Sequence, residues 1–213
     1  ENVLGAVLAD GWYSGYVGYG HHRDHYGTQP RLLAQLQIEY SDGTTARVAT
    51  GPDWKAATGA LLESDFLMGE TCDARLEPRG WDAPGFDAAA WKAVDTGTNL
   101  KPLREAHRGP PVVAVQDFKA KTITEPQPGV YVLDLGQNFA GVPRLTVKGR
   151  PGQKITLRFA ERLNPDGTIY TTNLRSARAT DTYICRGDGV EVFQPRFTFH
   201  GFQYIEVSGL DAK

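Results

Sequence analysis

Four groups of side chains in the 213 residues have the types and spacing for chemistry. The first is Asp10, Trp12 and Tyr13, in a stretch to Gly20 where glycines alternate with aromatic rings. A ring face can stack on the apolar face of a sugar while a carboxylate beside it takes hydroxyl protons. The same rings can instead seal a core corner. The second is the acidic run Asp65, Glu70 and Asp73, all within nine positions. Clustered carboxylates can hold a hard cation such as calcium, although no EF-hand pattern is present, and Asp73 can instead pair with a surface neighbour. The third is His21-His-Arg-Asp-His25, which does not meet the ligand spacing of a structural zinc site and reads as a polar surface loop. The fourth is Glu161 with Asp181, the pair with the right residue types for glycoside hydrolysis. That reaction needs two carboxyl groups about 5 to 9.5 Å apart across the scissile bond. Both fall on strands or strand ends among polar residues, and nothing around them signals a raised pKa. No Gly-x-Ser-x-Gly elbow, His-Glu-x-x-His or Walker loop occurs, so no catalytic residue is assigned.

The elements that must position these groups are strands. From Gly129 to Gly209, short runs of alternating apolar and polar residues are separated by Gly, Pro, Asn and Asp. This is the pattern of antiparallel strands with one buried face. In Ile155–Glu161, Ile155, Leu157 and Phe159 share one face and Thr156, Arg158 and Ala160 the other. Val130–Leu135 is apolar on both faces, as a central strand would be. Pro165-Asp166-Gly167 supplies a turn: Pro fixes φ, Asp bonds the backbone, and Gly accepts positive φ. Earlier in the chain, Leu32–Tyr40 and Thr44–Thr50 form a hairpin around Ser41-Asp42-Gly43. Val3–Ala9 is continuously apolar and reads as a strand buried on both faces. Its neighbours must either lie before Glu1 or come from another segment, since its backbone groups need partners on both edges. The glycines of 11–20 argue against a helix there. Asp87 can cap a short helix over Ala88–Trp91, and Val112–Phe118 reads as a strand.

Several motifs occur in a fixed order: Asp134-Leu-Gly-Gln-Asn-Phe-Ala-Gly141, Phe159-Ala-Glu-Arg-Leu-Asn-Pro-Asp-Gly167, Asn173–Tyr183 and Phe197-Thr-Phe-His-Gly-Phe-Gln-Tyr204. In this order they resemble bacterial α-L-rhamnosidases, glycoside hydrolase family 78. The closer resemblance is to the concanavalin-like β-sandwich that precedes the catalytic barrel in that family. Gly11-Trp12-Tyr13 and Gly69-Glu70-x-x-Asp73-Ala74-Arg75 are similar to motifs of the family's amino-terminal domain, with Cys72 where a tyrosine is common. The resemblance implies that the catalytic acid and base lie in a helical barrel that follows this region, so this chain alone is expected to be inactive. It also implies that the apolar strand at 3–9 comes in the middle of a jelly roll. Some amino-terminal domains of the family bind L-rhamnose through calcium.

Composition sets the remaining bounds. Hydrophobic content is 40%, charged content 23% and formal net charge −2, as in ordinary globular domains. No basic face suggests nucleic acid. No apolar run approaches the length of a membrane span, and no signal peptide is visible. Two cysteines, Cys72 and Cys185, are too few for a disulfide-stapled scaffold and read as buried free thiols, with a single bridge as the alternative. The Gly- and Pro-rich stretch 96–111 reads as a linker, and all four tryptophans precede residue 92.

The expected fold is therefore all-β, with two antiparallel, jelly-roll-like β-sandwich domains at 1–111 and 112–213, the first lacking its initial strands. The expected partners are L-rhamnose or rhamnosylated glycans and glycosides, together with the absent catalytic barrel. The sugar contacts are expected at Asp10, Trp12 and Tyr13, and calcium at Asp65, Glu70 and Asp73. The competing expectations are sandwiches that serve only to brace or dimerise, and a free-standing lectin-like protein.

Overall fold

The computed structural model describes residues 2–97 and 104–211. Its contacts group the chain into two units, one of residues 1–8, 31–58 and 79–113, the other of residues 9–30, 59–78 and 114–213. The architecture is all-β, with helix confined to single turns. No helix among the described residues is long and apolar enough to cross a membrane.

The second unit is built on a seven-stranded sheet. Its strand order is Leu61–Asp65, Gly69–Asp73, Thr180–Ile184, Lys154–Ala160, His200–Ser208, Val130–Gly141 and Thr122–Gln127. Every pairing is antiparallel except that of 69–73 with 180–184, which is parallel. The alternation read in Ile155–Glu161 is borne out. Ile155, Leu157 and Phe159 are buried with Tyr183, Phe202, Ile205 and Val207, and the ribbon of Leu145–Val147 and Glu191–Phe193 packs on that core. Val132, Ala160 and Ile169 form a second, smaller cluster. Val132 is paired with Glu206, while Leu133, its neighbour along the strand, is paired with Ile205 and packs on the main core. Successive residues of a strand face opposite ways, so the sheet is covered on both sides here. That is why both faces of the 130–135 run carry apolar residues. The strand 130–141 shifts register between Asp134 and Phe139. Asp134 Oδ1 takes the Gly136 N–H at 2.6 Å and the Gln203 amide at 2.9 Å inside that bulge.

The first unit holds the expected hairpin, with Gln35–Glu39 paired to Thr45–Ala49. Asp42 Oδ1 accepts from the Thr44 N–H at 2.9 Å, and Gly43 takes φ 81°. This is the Asx-stabilised turn its sequence suggested. A short ribbon pairs Lys55–Ala56 with Lys92–Ala93.

Five local expectations are corrected. Residues 3–9 form no strand, because no described segment pairs with them. Residues 112–118 are likewise unpaired, with Val112 99% exposed, and the sheet begins instead at Thr122. Pro126 is tolerated in that edge strand because it sits at a register shift, where a missing N–H costs no ladder bond. Asp87 accepts from the Ala89 N–H at 2.8 Å but closes a turn, not a helix. Gly11–Ser14 is one helical turn despite its glycine, and Gly11 takes φ 51°. Residues 61–75, read above as part of 1–111, form two strands that extend the sheet of the second unit. Of the linker reading at 96–111, residues 98–103 lie outside the described residues.

Candidate functional site

The loop 9–30 belongs to the second unit, and one carboxylate fixes it there. Asp65, 2% exposed, ends the 61–65 strand. Its Oδ1 accepts from the Leu67 N–H at 2.6 Å and the Met68 N–H at 2.9 Å, closing the turn of its own hairpin. Its Oδ2 accepts from the Tyr16 N–H, 49 residues earlier. Gly15 leaves room for that approach: a Cβ there would lie 2.3 Å from Asp65 Oδ2. Charge-assisted bonds of this kind are roughly twice as strong as neutral ones.

Asp10, Trp12 and Tyr13 come together on the helical turn so held. Trp12 is 49% exposed, and one face of its indole stacks on Phe66, with centroids 5.1 Å apart and planes at 25°. Phe199 meets Phe66 edge-on at 5.6 Å. The indole is thus backed by Phe66, itself braced by Phe199, while about half of its surface faces solvent. Asp10 Oδ1 accepts from Ser14 Oγ at 3.0 Å and Oδ2 pairs with the Arg23 guanidinium at 3.1 Å. That guanidinium also lies over the Tyr16 ring at 5.5 Å. Tyr13 turns toward Gly27, where a Cβ would come within 2.5 Å of its hydroxyl. Trp12 and Tyr13 are thus both partly open, Trp12 stacked on Phe66 and Tyr13 with its hydroxyl end against Gly27. Phe66, Phe199 and Arg23 were missed in the sequence, because nothing local links residue 12 to residues 66 and 199.

The three carboxylates expected to bind calcium serve other purposes. Asp65 is the turn and loop anchor described above. Glu70 Oε2 accepts from the N–H groups of Arg196 and Phe197 at 3.0 and 3.2 Å. Burial pushes the Glu70 carboxyl above the usual carboxylate range, against those two bonds, and the nearby Asp181 charge adds to the rise. Both Asp73 oxygens lie in the Arg75 fork, at 2.9 and 2.7 Å, which holds that carboxyl below its usual range. Glu70 and Asp73 are three apart on one strand and so face opposite sides. Among the described residues no group of three or more His, Cys, Asp or Glu side chains is placed to hold a metal ion. This trio does not fit calcium.

Glu161 and Asp181 have opposite environments. Asp181 is fully buried. Its Oδ1 accepts from the Glu70 N–H at 2.9 Å and lies 3.1 Å from His200 Nε2, whose ring stacks on Phe159. Its Oδ2 has no hydrogen-bond partner among the described residues. Glu161 is exposed and clasped by two amides, from Asn138 at 3.0 Å and Asn173 at 3.2 Å. One member of the pair is sealed in a core and the other is open to solvent, so they do not flank a common substrate. His21 and His25 each pack edge-on against a tyrosine, Tyr16 and Tyr26 respectively, on an exposed loop. Both cysteines are free.

The family model for the alpha-L-rhamnosidase N-terminal domain matches residues 1–116, and that for the bacterial alpha-L-rhamnosidase concanavalin-like domain matches residues 124–213. An alpha-L-rhamnosidase of Streptomyces avermitilis is 54% identical over 214 residues, spanning 100% of this chain and 21% of its own length. One from Alteromonas sp. is 40% identical, spanning 99% and 23%. The crystal structure of the S. avermitilis alpha-L-rhamnosidase complexed with L-rhamnose aligns with a TM-score of 0.91, over 96% of this chain and 20% of that one. The Dictyoglomus thermophilum enzyme, 33% identical, aligns with a TM-score of 0.83 over 93% of this chain and 22% of that one. The chain thus spans about a fifth of the length of the relatives it matches.

Proposed function

This chain belongs to the bacterial α-L-rhamnosidase family, and from that premise we propose that it is a non-catalytic β-sandwich portion of an enzyme acting on terminal α-L-rhamnosides, with Trp12 as a sugar-contact face. The observation that carries the sugar reading is the Trp12 indole. It is backed by Phe66, half-exposed, and carried on the helical turn that Asp10 opens. A stacking platform works best when the ring is already immobilised, because less side-chain entropy is lost on binding. The inactivity of the isolated chain is supported by the split environments of Glu161 and Asp181, since hydrolysis needs both carboxyl groups at one scissile bond.

Calorimetric titration of the 213-residue chain with L-rhamnose, in calcium and again in EDTA, tests the reading. Binding should weaken about tenfold in Trp12→Ala, since a loss of about 1.4 kcal/mol is tenfold and lies within the worth of an aromatic stack. A calcium-dependent heat would point to ligands other than Asp65, Glu70 and Asp73. The competing structural role has its own support, because both Asp10 oxygens are already engaged, by Ser14 and Arg23. A folded sample that gives no heat in either condition would favour that role. Turnover of an aryl α-L-rhamnoside by the chain alone would overturn the non-catalytic assignment.

A further inference from the structure

A strained turn presents a cation to Tyr19 of the same loop. Leu174–Ala177 is a β-turn closed by the Ala177 N–H donating to the Leu174 carbonyl at 3.0 Å. Its second residue, Arg175, has φ 57° and ψ −115°. Those angles are the first central position of a type II′ turn, where glycine is the default. Strain of this kind in a side-chain-bearing residue is an observation from which a function can be inferred.

The turn places the Arg175 guanidinium over the Tyr19 ring, 4.6 Å from its centroid. Ser176 Oγ donates to the Tyr19 carbonyl at 3.0 Å, fixing the loop beneath. Tyr19 is 81% exposed, so the rest of its ring remains open. Glu161 is already engaged by two amides. Asn173, two residues before Arg175, donates to Glu161 Oε2, and Asn138 donates to Oε1. No ion pair between Arg175 and a carboxylate is formed among the described residues. A planar guanidinium docked on an aromatic ring keeps a fork of donors for a carboxylate, while the ring offers a face for C–H groups. A neutral sugar would use the ring and leave the cation idle, and a cationic ligand would be repelled. A ligand that uses both carries a carboxylate on an apolar-faced ring.

We propose that Tyr19 and Arg175 form a second sugar-contact site, specific for a hexuronate unit. That the carboxylate is carried on a sugar rests on the rhamnosidase reading above; the Arg175–Tyr19 geometry does not.

The test is an NMR titration of the 213-residue chain with sodium D-glucuronate, following Tyr19 and Ser176, with D-glucose, acetate and L-rhamnose as separate probes. Glucuronate should give saturable shifts there, and glucose and acetate should bind at least tenfold more weakly. Arg175→Gly should weaken glucuronate at least tenfold while leaving the melting temperature unchanged or higher, because glycine adopts this φ without strain. Tyr19→Ala should lose glucuronate binding as well. The proposal fails if Tyr19 and Ser176 do not respond to glucuronate, or if Arg175→Gly binds it as the parent does. It fails equally if acetate binds as tightly as glucuronate, or if Arg175→Gly unfolds the turn. Rhamnose is read at the Trp12 indole, so failure of that contact would be seen separately.

Discussion

The anchoring of the 9–30 loop by Asp65 gives a sharp test, because two substitutions remove different parts of one hydrogen-bond set. In Asp65→Asn the side chain keeps one carbonyl oxygen. That oxygen can still accept from the Leu67 and Met68 N–H groups, at the positions now 2.6 and 2.9 Å from Oδ1. The new NH2 group must then face the Tyr16 N–H, a donor against a donor. The loss is one bond to a charged acceptor, worth about 1.5–3 kcal/mol. If that bond limits local opening of the loop, the Tyr16 amide should exchange with solvent deuterium ~10- to 150-fold faster, while Leu67 and Met68 change little. In Asp65→Ala all three N–H groups lose their acceptor, so the hairpin turn should open together with the loop. Residue-resolved hydrogen exchange reads both variants. If Tyr16 exchanges at the parent rate in Asp65→Asn, Asp65 does not hold the loop. If Leu67 and Met68 accelerate as much as Tyr16, the division of labour between Oδ1 and Oδ2 is wrong.

Glu70→Gln should flatten the pH dependence of stability. Burial first, and then Asp181, raise the Glu70 carboxyl, so its contribution is present below the usual carboxylate range and is lost as pH rises through its folded value. The Gln variant, which can still accept from Arg196 and Phe197, should melt at least as high as the parent at neutral pH, with the advantage gone below about pH 4. A parent more stable than the variant at neutral pH and equal to it in acid would reverse the sign and refute the account. The thiols should be slow to react. Burial, with Glu70, Glu77 and Asp73 adding charge, pushes Cys72 up to about 11, and burial also raises Cys185. At pH 8 the Cys72 thiolate is then about 0.1% populated, so iodoacetamide should alkylate it roughly 200-fold more slowly than an unperturbed cysteine. Denaturation should release two thiols. Rapid alkylation of the folded chain, or fewer than two thiols on unfolding, would contradict this.

What was legible in the sequence was whatever a short window contains. The 35–39 and 45–49 hairpin is declared by alternation around Ser41-Asp42-Gly43, and the turn chemistry of Asp42 is local. The core face of 154–160 is declared by period two. The failures share one cause. Val3–Ala9 and Val112–Phe118 have strand composition, but a strand needs a partner on its edge, and a window cannot show whether one exists. The reverse error occurred at 61–73. Asp65, Glu70 and Asp73 drew the reading of an acidic run that could hold a cation, yet the segment is a hairpin. Its strand 69–73 pairs in parallel with 180–184, more than a hundred residues away.

The candidate site divides along the same line. Trp12 beside Asp10 could be picked out because an exposed-looking aromatic next to a carboxylate is a local signal. What makes Trp12 a platform is Phe66, itself braced by Phe199, and the loop that carries it is moored by Asp65. None of these is near it in sequence. The acidic trio misled for the complementary reason. Spacing in the chain brings carboxylates close only if the backbone turns to point them inward, and in an extended strand Glu70 and Asp73 diverge. Each carboxylate then found the nearest unsatisfied donors, backbone N–H groups for Asp65 and Glu70 and a guanidinium for Asp73. Arg175 shows what a composition-based search overlooks. Its residue type is unremarkable on a surface, and only its backbone angles, set by a turn that ordinarily requires glycine, mark the position as one where a side chain is held at a cost.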